Sequence, residues 1–218
     1  ASDIKTVRDL VPNDIKVIAK IELKAALDNI AEILDVADGV MVARGDLGVQ
    51  LPLEQVPFVQ KQILDAANKK GKISITATEM LQSMKSSYRP TRAEVTDITN
   101  AILEGSDAVM LSAETSIGDN PNRVVEVMSL ICKETDSKND TSSLLSKENT
   151  SEDSTATLAR AAVQVANEIQ AKAIVAFTET GRTPLLISNF RPQAEIITFS
   201  TKKKTLNQMK LKHMMQMS

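Results

Sequence analysis

Three charged side chains, Lys20, Glu22 and Asp46, lie at the ends of two predicted strands. Lys20 and Glu22 are two residues apart in the run KVIAKIE, so on a strand both project from the same face, roughly 7 Å from each other. Asp46 follows the second strand. If the strands are parallel neighbours, about 4.8 Å apart, Glu22 and Asp46 can reach one divalent ion with Lys20 beside it. An ordinary ion pair would also explain Lys20 and Glu22 taken alone. Two carboxylates, an ammonium and a glycine turn suit an anionic, metal-bound substrate.

A strand, a helix and a second strand position these side chains. KVIAKIE alternates and is rich in Val and Ile, which predicts a strand. DGVMVAR is a near-continuous apolar run, typical of a strand buried on both faces of a parallel sheet. ALDNIAEILDVA, between them, has apolar residues at helical spacing. In a right-handed βαβ unit the two carboxyl ends lie on one side of the sheet, so the charged residues should meet there.

The same pattern repeats twice more along the chain. A third strand ends in ITATEML and a fourth in LSAET, each followed by a predicted helix. Thr76 and Thr78 should share one face of the strand, with Thr78 near its carboxyl end. The alternative to a functional role for Thr78 is that it caps the following helix. Thr91 and Glu94 form the pattern of a capping box. Four apolar strands with polar carboxyl ends predict a parallel α/β sheet, and a (β/α) barrel places its chemistry at that end.

Composition divides the chain into four parts. Residues 1–136 alternate strand and helix four times, and residues 137–153 change to Ser, Lys, Asn, Asp and Thr without hydrophobic period, which indicates a linker. Residues 154–201 form a second, truncated α/β unit. Residues 202–218 offer a basic run and several Met residues but no strand pattern. We expect disorder or a loose helix in this tail, with His213 exposed and not a metal ligand, and no continuation of the second domain.

Overall composition narrows the classes of function. The apolar fraction of 42% and the charged fraction of 25% are those of a globular protein, and the net charge of −2 argues against nucleic acid as a partner. No apolar run is long enough for a membrane span. The single Cys132 cannot form an internal disulfide, which fits a reducing compartment and predicts a cytoplasmic location.

Five motifs together resemble one enzyme family. AKIE, DGVMVARGDLG, ITATEML, PTRAE and MLSAET, in this order and spacing, closely resemble pyruvate kinase, in the second half of its barrel. The resemblance implies an α/β fold in which residues 1–136 are the last four βα units of a TIM (β/α)8 barrel, followed by part of the C-terminal domain. It implies a glycolytic phosphotransferase that moves the phosphoryl group of phosphoenolpyruvate to ADP, giving pyruvate and ATP.

The resemblance also assigns roles to residues. Lys20 would neutralise the phosphoryl group in transfer, and Glu22 and Asp46 would hold Mg²⁺ or Mn²⁺. Thr78 would lie near the carbon that is protonated to give pyruvate. The backbone N–H groups at one strand end would contact the substrate carboxylate; these belong to Ala43, Arg44, Gly45 and Asp46.

A second set of residues resembles the loop that grips the phosphate of an allosteric effector. This loop has the sequence AFTETGRTP, and its candidate effector-binding residues are Thr178, Thr180, Gly181, Arg182 and Thr183. Glu179 stands where the family commonly has Lys, which argues against activation by a sugar phosphate. Glu79 stands where the family commonly has Gln, which adds a negative charge near the substrate. After the last strand end, the sequence beginning at Asp119 also departs from the family pattern.

Family members carry four further strands, a lid domain and the K⁺ ligands on segments that this sequence does not contain. We therefore expect a fragment, with K⁺ ligands absent and no activity alone, from a family that is typically homotetrameric. Two alternatives remain open. One is a metal-dependent aldolase or lyase of the citrate lyase type, which shares the ALDNIAEI helix and a GDL strand end, although PTRAE and TETGRT argue against it. The other is a non-catalytic half-barrel scaffold.

Overall fold

The computed structural model describes residues 1–138 and 154–209, and the backbone of residues 215–217. These residues form two compact units, one ending with the helix at Lys138 and one beginning with the helix at Ser154. Residues 139–153, nearly all of the predicted linker, lie outside the described residues, whereas Ser137 and Lys138 complete a helix. No helix in the described ranges has both the length and the apolar character that crossing a bilayer requires.

The first unit alternates strands and helices. In chain order its elements are α1 (Ser2–Leu10), β1 (Ile18–Ile21), α2 (Lys24–Asp28), α3 (Ile30–Val36), β2 (Gly39–Ala43), α4 (Arg44–Gln50), α5 (Val56–Lys69), β3 (Ile73–Ala77), α6 (Arg92–Leu103), β4 (Ala108–Met110), α7 (Ala113–Ser116) and α8 (Pro121–Lys138). Two short 3-10 helices, Leu53–Gln55 and Gln82–Lys85, lie before α5 and after β3.

The four strands form one parallel sheet in the order β1-β2-β3-β4, which confirms the predicted α/β class with a parallel sheet. Lys20 of β1 lies opposite Met41 of β2, and Ala43 of β2 lies opposite Ala77 of β3. Every residue of β3 is buried, including the two hydroxyl residues Ser74 and Thr76. This register brings the carboxyl ends of the first three strands to one edge.

Two apolar clusters hold the first unit together. One joins β1 and β2 to α3 and α5, with Leu34 and Leu64 fully buried. The other lies between the segment after β3 and helices α6 and α8, and contains Met80, Met84 and Ile98. The core is aliphatic, as a sequence with only 2% aromatic residues requires.

The segment between β3 and α6 is anchored at several points. The predicted capping box is present, because Thr91 Oγ1 accepts from the Glu94 N–H at 3.2 Å and Glu94 Oε2 accepts from the Thr91 N–H at 2.7 Å. The same carboxylate accepts from the Ser83 N–H at 2.7 Å. The guanidinium of Arg123 lies over the ring of Tyr88, 5.1 Å from its centroid.

The structure corrects the expected glycine turn after β2. Helix α4 begins at Arg44, directly after the strand, so Gly45 and Asp46 lie in its first turn. The physical reason is that Asp46 is favourable at a helix N-terminus, where backbone N–H groups are unpaired, while Leu47 becomes fully buried.

The second unit is also α/β. Its described elements are α9 (Ser154–Glu168), β5 (Ala173–Phe177), α10 (Arg182–Asn189), β6 (Glu195–Phe199), α11 (Lys203–Met209) and β7 (Met215–Met217), and its strands are parallel in the order β5-β6-β7. Phe177 and Phe199 stack, with ring centroids 5.4 Å apart.

The expectation of a disordered tail over residues 202–218 is wrong for its described parts. Residues 203–209 form α11, and β7 pairs with β6, with Met215 opposite Ile196. Met209 is 1% exposed, and its sulfur lies so close to Gly181 that a Cβ built there would be 3.0 Å away. These described parts are held in place because Met209 of α11 packs beside Gly181 and β7 pairs with the open edge of β6. His213 lies outside the described residues. The second unit therefore extends past residue 201.

Candidate active site at the carboxyl ends of β1, β2 and β3

The structure brings Lys20, Glu22 and Asp46 together. Lys20 is near the end of β1, Glu22 follows that strand directly, and Asp46 lies in the first turn of α4. Lys20 Nζ is 3.1 Å from Asp46 Oδ2 and also pairs with Glu22 Oε1. All three side chains remain accessible to solvent, with Lys20 half-exposed. The predicted cluster is therefore present at the predicted edge of the sheet.

The charges at this edge favour the protonated form of the lysine. Hydrogen bonds to Glu22 and then to Asp46 raise the pKa of Lys20 above its ordinary value. A lysine is already charged at neutral pH, and these two carboxylates stabilise its charged form further.

The two carboxylates fit a hard divalent cation. Both direct an oxygen at the same positive group, the Lys20 ammonium, so they converge on one position. Carboxylate oxygens are the donors that Mg²⁺ and Mn²⁺ prefer, and Mg²⁺ commonly uses one or two carboxylates together with substrate oxygens and water. In the described ranges there is no group of three or more His, Cys, Asp or Glu residues placed to hold a metal.

The backbone beside Asp46 is engaged with the next strand end. Ala43 ends β2 and is fully buried, and Arg44 begins α4. The Gly45 N–H donates to Thr78 Oγ1 at 2.9 Å, and the Thr78 hydroxyl donates to the Ala77 carbonyl at 2.6 Å. The structure therefore joins two of the predicted substrate-binding residues, Gly45 and Thr78, directly.

The two threonines of the third strand differ in their surroundings. Thr76 lies inside β3, is fully buried, and its hydroxyl pairs with that of Ser106. Thr78 lies beyond the strand with φ of 70°, followed by Glu79 with φ of 54°. Positive φ is unfavourable for residues with a Cβ, so this turn needs external support.

Arg44 supplies that support through its side chain. Its guanidinium is 8% exposed and donates from Nη2 to the Thr78 carbonyl at 2.6 Å and to the Glu79 carbonyl at 3.1 Å. Nη1 donates to Asp97 Oδ2 at 2.6 Å.

Sequence reasoning did not identify Asp97. The available signal was its position three residues after Glu94, which places both acids on one face of α6.

The fourth strand end supplies an anchor for the same segment. Glu114 is fully buried in α7; it accepts from the Leu81 N–H at 3.2 Å and from the Ser112 N–H at 2.8 Å. Burial by itself would raise the pKa of Glu114, but backbone N–H groups of Glu114, Ser112 and Leu81 hold it below its ordinary value. A buried carboxylate that remains ionised thus fixes the segment after Thr78.

The predicted effector loop lies in the second unit, between β5 and α10. Gly181 has φ of 84°, and its N–H donates to Thr178 Oγ1 at 2.9 Å. Thr180 and Arg182 are exposed, and Thr183 is half-buried in the first turn of α10. Glu179 lies 3.4 Å from Lys202 Nζ. The loop is a tight turn with a hydroxyl, a glycine and an arginine at a helix N-terminus.

Known proteins match this chain along its length. The family model of the pyruvate kinase barrel domain matches residues 1–125, and that of the pyruvate kinase alpha/beta domain matches residues 156–214. The pyruvate kinase of Clostridium perfringens is 44% identical over 206 residues, which are 91% of this chain and 44% of that protein. The pyruvate kinase of Eimeria tenella is 43% identical over 218 residues, 97% of this chain and 41% of that protein.

A solved structure agrees. The crystal structure of a pyruvate kinase from Cryptosporidium parvum matches with a TM-score of 0.95 and 38% sequence identity, covering 100% of this chain and 47% of that one. The chain thus spans less than half the length of these relatives. The second family model continues to residue 214, which also contradicts the expectation that the stretch after residue 201 is foreign to the domain.

Proposed function

Because this chain belongs to the pyruvate kinase family, we propose that its first unit takes part in transferring the phosphoryl group of phosphoenolpyruvate to ADP, the glycolytic step that yields pyruvate and ATP. The proposal rests above all on the meeting of the Lys20 ammonium with the Glu22 and Asp46 carboxylates at the carboxyl ends of β1 and β2. The family matches favour this reaction over a lyase of the citrate lyase type.

We further propose that the first unit is the second half of a (β/α)8 barrel. The strands are parallel and lie in sequential order, and a helix follows each of them, as in the repeating unit of such a barrel. The cluster of charged side chains lies at the carboxyl ends of the strands, which is where barrel enzymes carry out their chemistry.

Lys20 would oppose the charge of the phosphoryl group. In phosphoryl transfer the protein mainly positions the reactants and stabilises charge on the equatorial oxygens. The ammonium suits this role because a lysine is charged at neutral pH, and the carboxylates beside it raise its pKa further. Its half-exposed position leaves it accessible to a substrate.

Glu22 and Asp46 would hold Mg²⁺ or Mn²⁺. When bound, the metal would supply charge stabilisation to the phosphate and enolate oxygens of the substrate. A cation that took the carboxylate oxygens now facing Lys20 would have to displace the ammonium, which contacts both carboxylates in this structure. We assign no K⁺ ligand to the described residues.

Gly45 and Thr78 would respond together to the substrate carboxylate. The N–H groups at the start of α4, from Arg44 to Asp46, suit an anion because a helix N-terminus carries partial positive charge. The hydrogen bond from the Gly45 N–H to the Thr78 hydroxyl would fix that hydroxyl beside the bound carboxylate, near the carbon that takes up a proton.

In the second unit, Thr178, Thr180, Gly181, Arg182 and Thr183 would form a site for the phosphate of an effector. The hydroxyls, the exposed arginine and the helix N-terminus favour an anion. Glu179 adds an opposing charge beside them, although Lys202 pairs with it. The homotetramer typical of the family is part of this proposal.

Binding of Mn²⁺ tests the metal ligands. We expect Asp46→Asn to weaken Mn²⁺ binding about tenfold, by analogy with the loss of one charged ligand. Paramagnetic relaxation of water protons measures this without any activity. Asp35→Asn is a matched control, because Asp35 is also an exposed carboxylate paired with a lysine. Equal binding by the wild-type chain and Asp46→Asn would contradict the assignment.

A pyruvate-formation assay tests the reaction itself. We expect the 218 residues alone to form no pyruvate, because the family's site also uses groups from its first four strands and lid domain, whereas a full-length relative should be active. Turnover by the isolated chain would contradict this expectation.

A further inference from the structure

The Arg44 guanidinium joins three elements at the candidate site. It extends from the first residue of α4, donates to two carbonyls after β3, and pairs with Asp97 on α6. Nε adds a third contact, to the Thr78 carbonyl at 3.3 Å. Only 8% of Arg44 is exposed, so the two carbonyls and the Asp97 carboxylate take the place of water around its guanidinium.

The two carbonyls that Arg44 binds belong to a strained turn. Thr78 and Glu79 both have positive φ, a conformation that crowds the Cβ against the backbone. Such a turn persists only where its surroundings stabilise it. Arg44 stabilises the turn because Nη2 of its rigid, planar guanidinium donates to both carbonyls at once.

The turn sets the position of the Thr78 hydroxyl. That hydroxyl accepts from the Gly45 N–H at 2.9 Å, so a change of the Thr78 backbone would move Oγ1 away from Gly45. The hydrogen bond therefore reports the state of the turn.

Asp97 completes the arrangement. It supplies the negative charge for Arg44, and it lies one turn of α6 after Glu94, which binds Ser83. One face of α6 thus holds the segment from Thr78 to Ser83 at both ends, once directly and once through Arg44.

We propose that Asp97 is a positioning residue of the candidate site, which acts by holding the Arg44 guanidinium against the Thr78–Glu79 turn and so keeps the Thr78 hydroxyl on the Gly45 N–H. That this hydrogen bond belongs to a substrate site rests on the proposed function; that Asp97 controls it does not.

Hydrogen exchange at Gly45 tests the inference. With ¹⁵N-glycine labelling, the chain has only 7 labelled residues, so the Gly45 amide can be followed alone. We expect Asp97→Ala to speed exchange at Gly45 by about tenfold or more, as for the loss of a hydrogen bond to a charged group. Asp97→Asn should restore part of the protection, because its amide oxygen can still accept from Arg44.

The matched control is Asp38→Ala. Asp38 also pairs with an arginine, Arg8, but it precedes β2 and lies at the amino ends of the strands. We expect this variant to leave exchange at Gly45 within about twofold of the wild-type rate, since distant sites act independently. Wild-type protection of Gly45 in Asp97→Ala, or an equal loss in Asp38→Ala, would overturn the inference.

Titration with phosphoenolpyruvate in the presence of Mn²⁺ separates this inference from the proposed function. If the wild-type chain binds phosphoenolpyruvate, we expect Asp97→Ala to weaken that binding about tenfold, with Asp97→Asn intermediate. Unchanged binding in Asp97→Ala would overturn the positioning role. If the wild-type chain does not bind phosphoenolpyruvate, the proposed function fails for this chain, while exchange at Gly45 still decides whether Asp97 holds the turn.

Discussion

At the scale of single residues, Lys20 acts as a counter-ion to the two carboxylates proposed to hold the metal. Its ammonium contacts both Glu22 and Asp46 in this structure, and a cation would have to displace it. Under the proposed function, the same side chain that would oppose the substrate's charge would therefore compete with the metal for these oxygens. Substrate would relieve this competition by offering phosphate oxygens to the ammonium.

Removing the ammonium should accordingly strengthen metal binding. We expect Lys20→Met to bind Mn²⁺ a few-fold more tightly than the wild-type chain, because the two carboxylates lose their competing partner. Electron paramagnetic resonance of free Mn²⁺ measures the change. Lys16→Met is the control, since Lys16 pairs with Asp38 at the opposite ends of the strands. Weaker binding by Lys20→Met would show that the ammonium organises the carboxylates instead of competing for them.

Sequence alone could predict the meeting of Lys20, Glu22 and Asp46, because the two-residue period and the parallel topology fix which ends of strands lie together. It could not predict that Asp97 reaches Arg44 across 53 residues of chain. That contact depends on the path of one long side chain and on two positive φ angles, which no local pattern encodes.

At the scale of elements, the segment from Thr78 to Ser83 is held by side chains from three helices. Arg44 of α4 binds its first two carbonyls, Glu94 of α6 binds its Ser83 N–H, and Glu114 of α7 binds its Leu81 N–H. The segment carries Thr78 into the candidate site, so these anchors pre-organise the site before any substrate binds.

The buried Glu114 should make this anchoring dependent on pH. Because its pKa in the folded protein is lowered, its contribution to stability is fully present above its ordinary pKa of 4.5 and is lost as the pH falls through the folded value. We expect Glu114→Gln to lower the free energy of unfolding by about 2 kcal/mol at pH 7, since an amide nitrogen then faces backbone donors. The difference from the wild-type chain should shrink below pH 4.5.

Urea unfolding over a series of pH values measures both effects. The control is Glu134→Gln, an exposed carboxylate of α8, for which we expect a change within about 0.5 kcal/mol. The role given to the ionised carboxylate would be contradicted if the difference in unfolding free energy between the wild-type chain and Glu114→Gln stayed constant through the acid range.

Local patterns predicted the buried strands, the capping box of α6 and the four repeats of strand and helix. They allowed no more than a loose helix where α11 lies, and they did not predict β7. The strand sequence MQM has no β-branched residue, and its pairing with β6 depends on an open parallel edge that other parts of the chain create. Met209 likewise needs Gly181, far away in sequence, as its packing partner.

At the scale of the whole molecule, both sheets have unpaired edges among the described residues. In the first unit β1 and β4 each pair with one strand, and all three residues of β4 are partly exposed. In the second unit Val175 and Phe177 on β5 are more than half exposed, at 51% and 77%. Unpaired edges and exposed apolar side chains favour association.

We therefore expect the 218-residue chain to self-associate at micromolar concentration. Sedimentation velocity over a dilution series should show a sedimentation coefficient that rises with concentration. Raising the salt concentration is a control, because apolar and edge-strand contacts should persist where contacts between exposed charges weaken. A single monomeric species at every concentration would contradict this prediction.

The ring of Tyr88 beneath Arg123 gives the molecule a built-in optical reporter. The chain has one tyrosine and no tryptophan, so all of its tyrosine emission comes from this ring. Tyr88 lies between the Ser83 anchor and the capping box of α6, on the segment that leads from the candidate site. Its anisotropy and its quenching by added iodide therefore follow the motion of that segment without any attached dye.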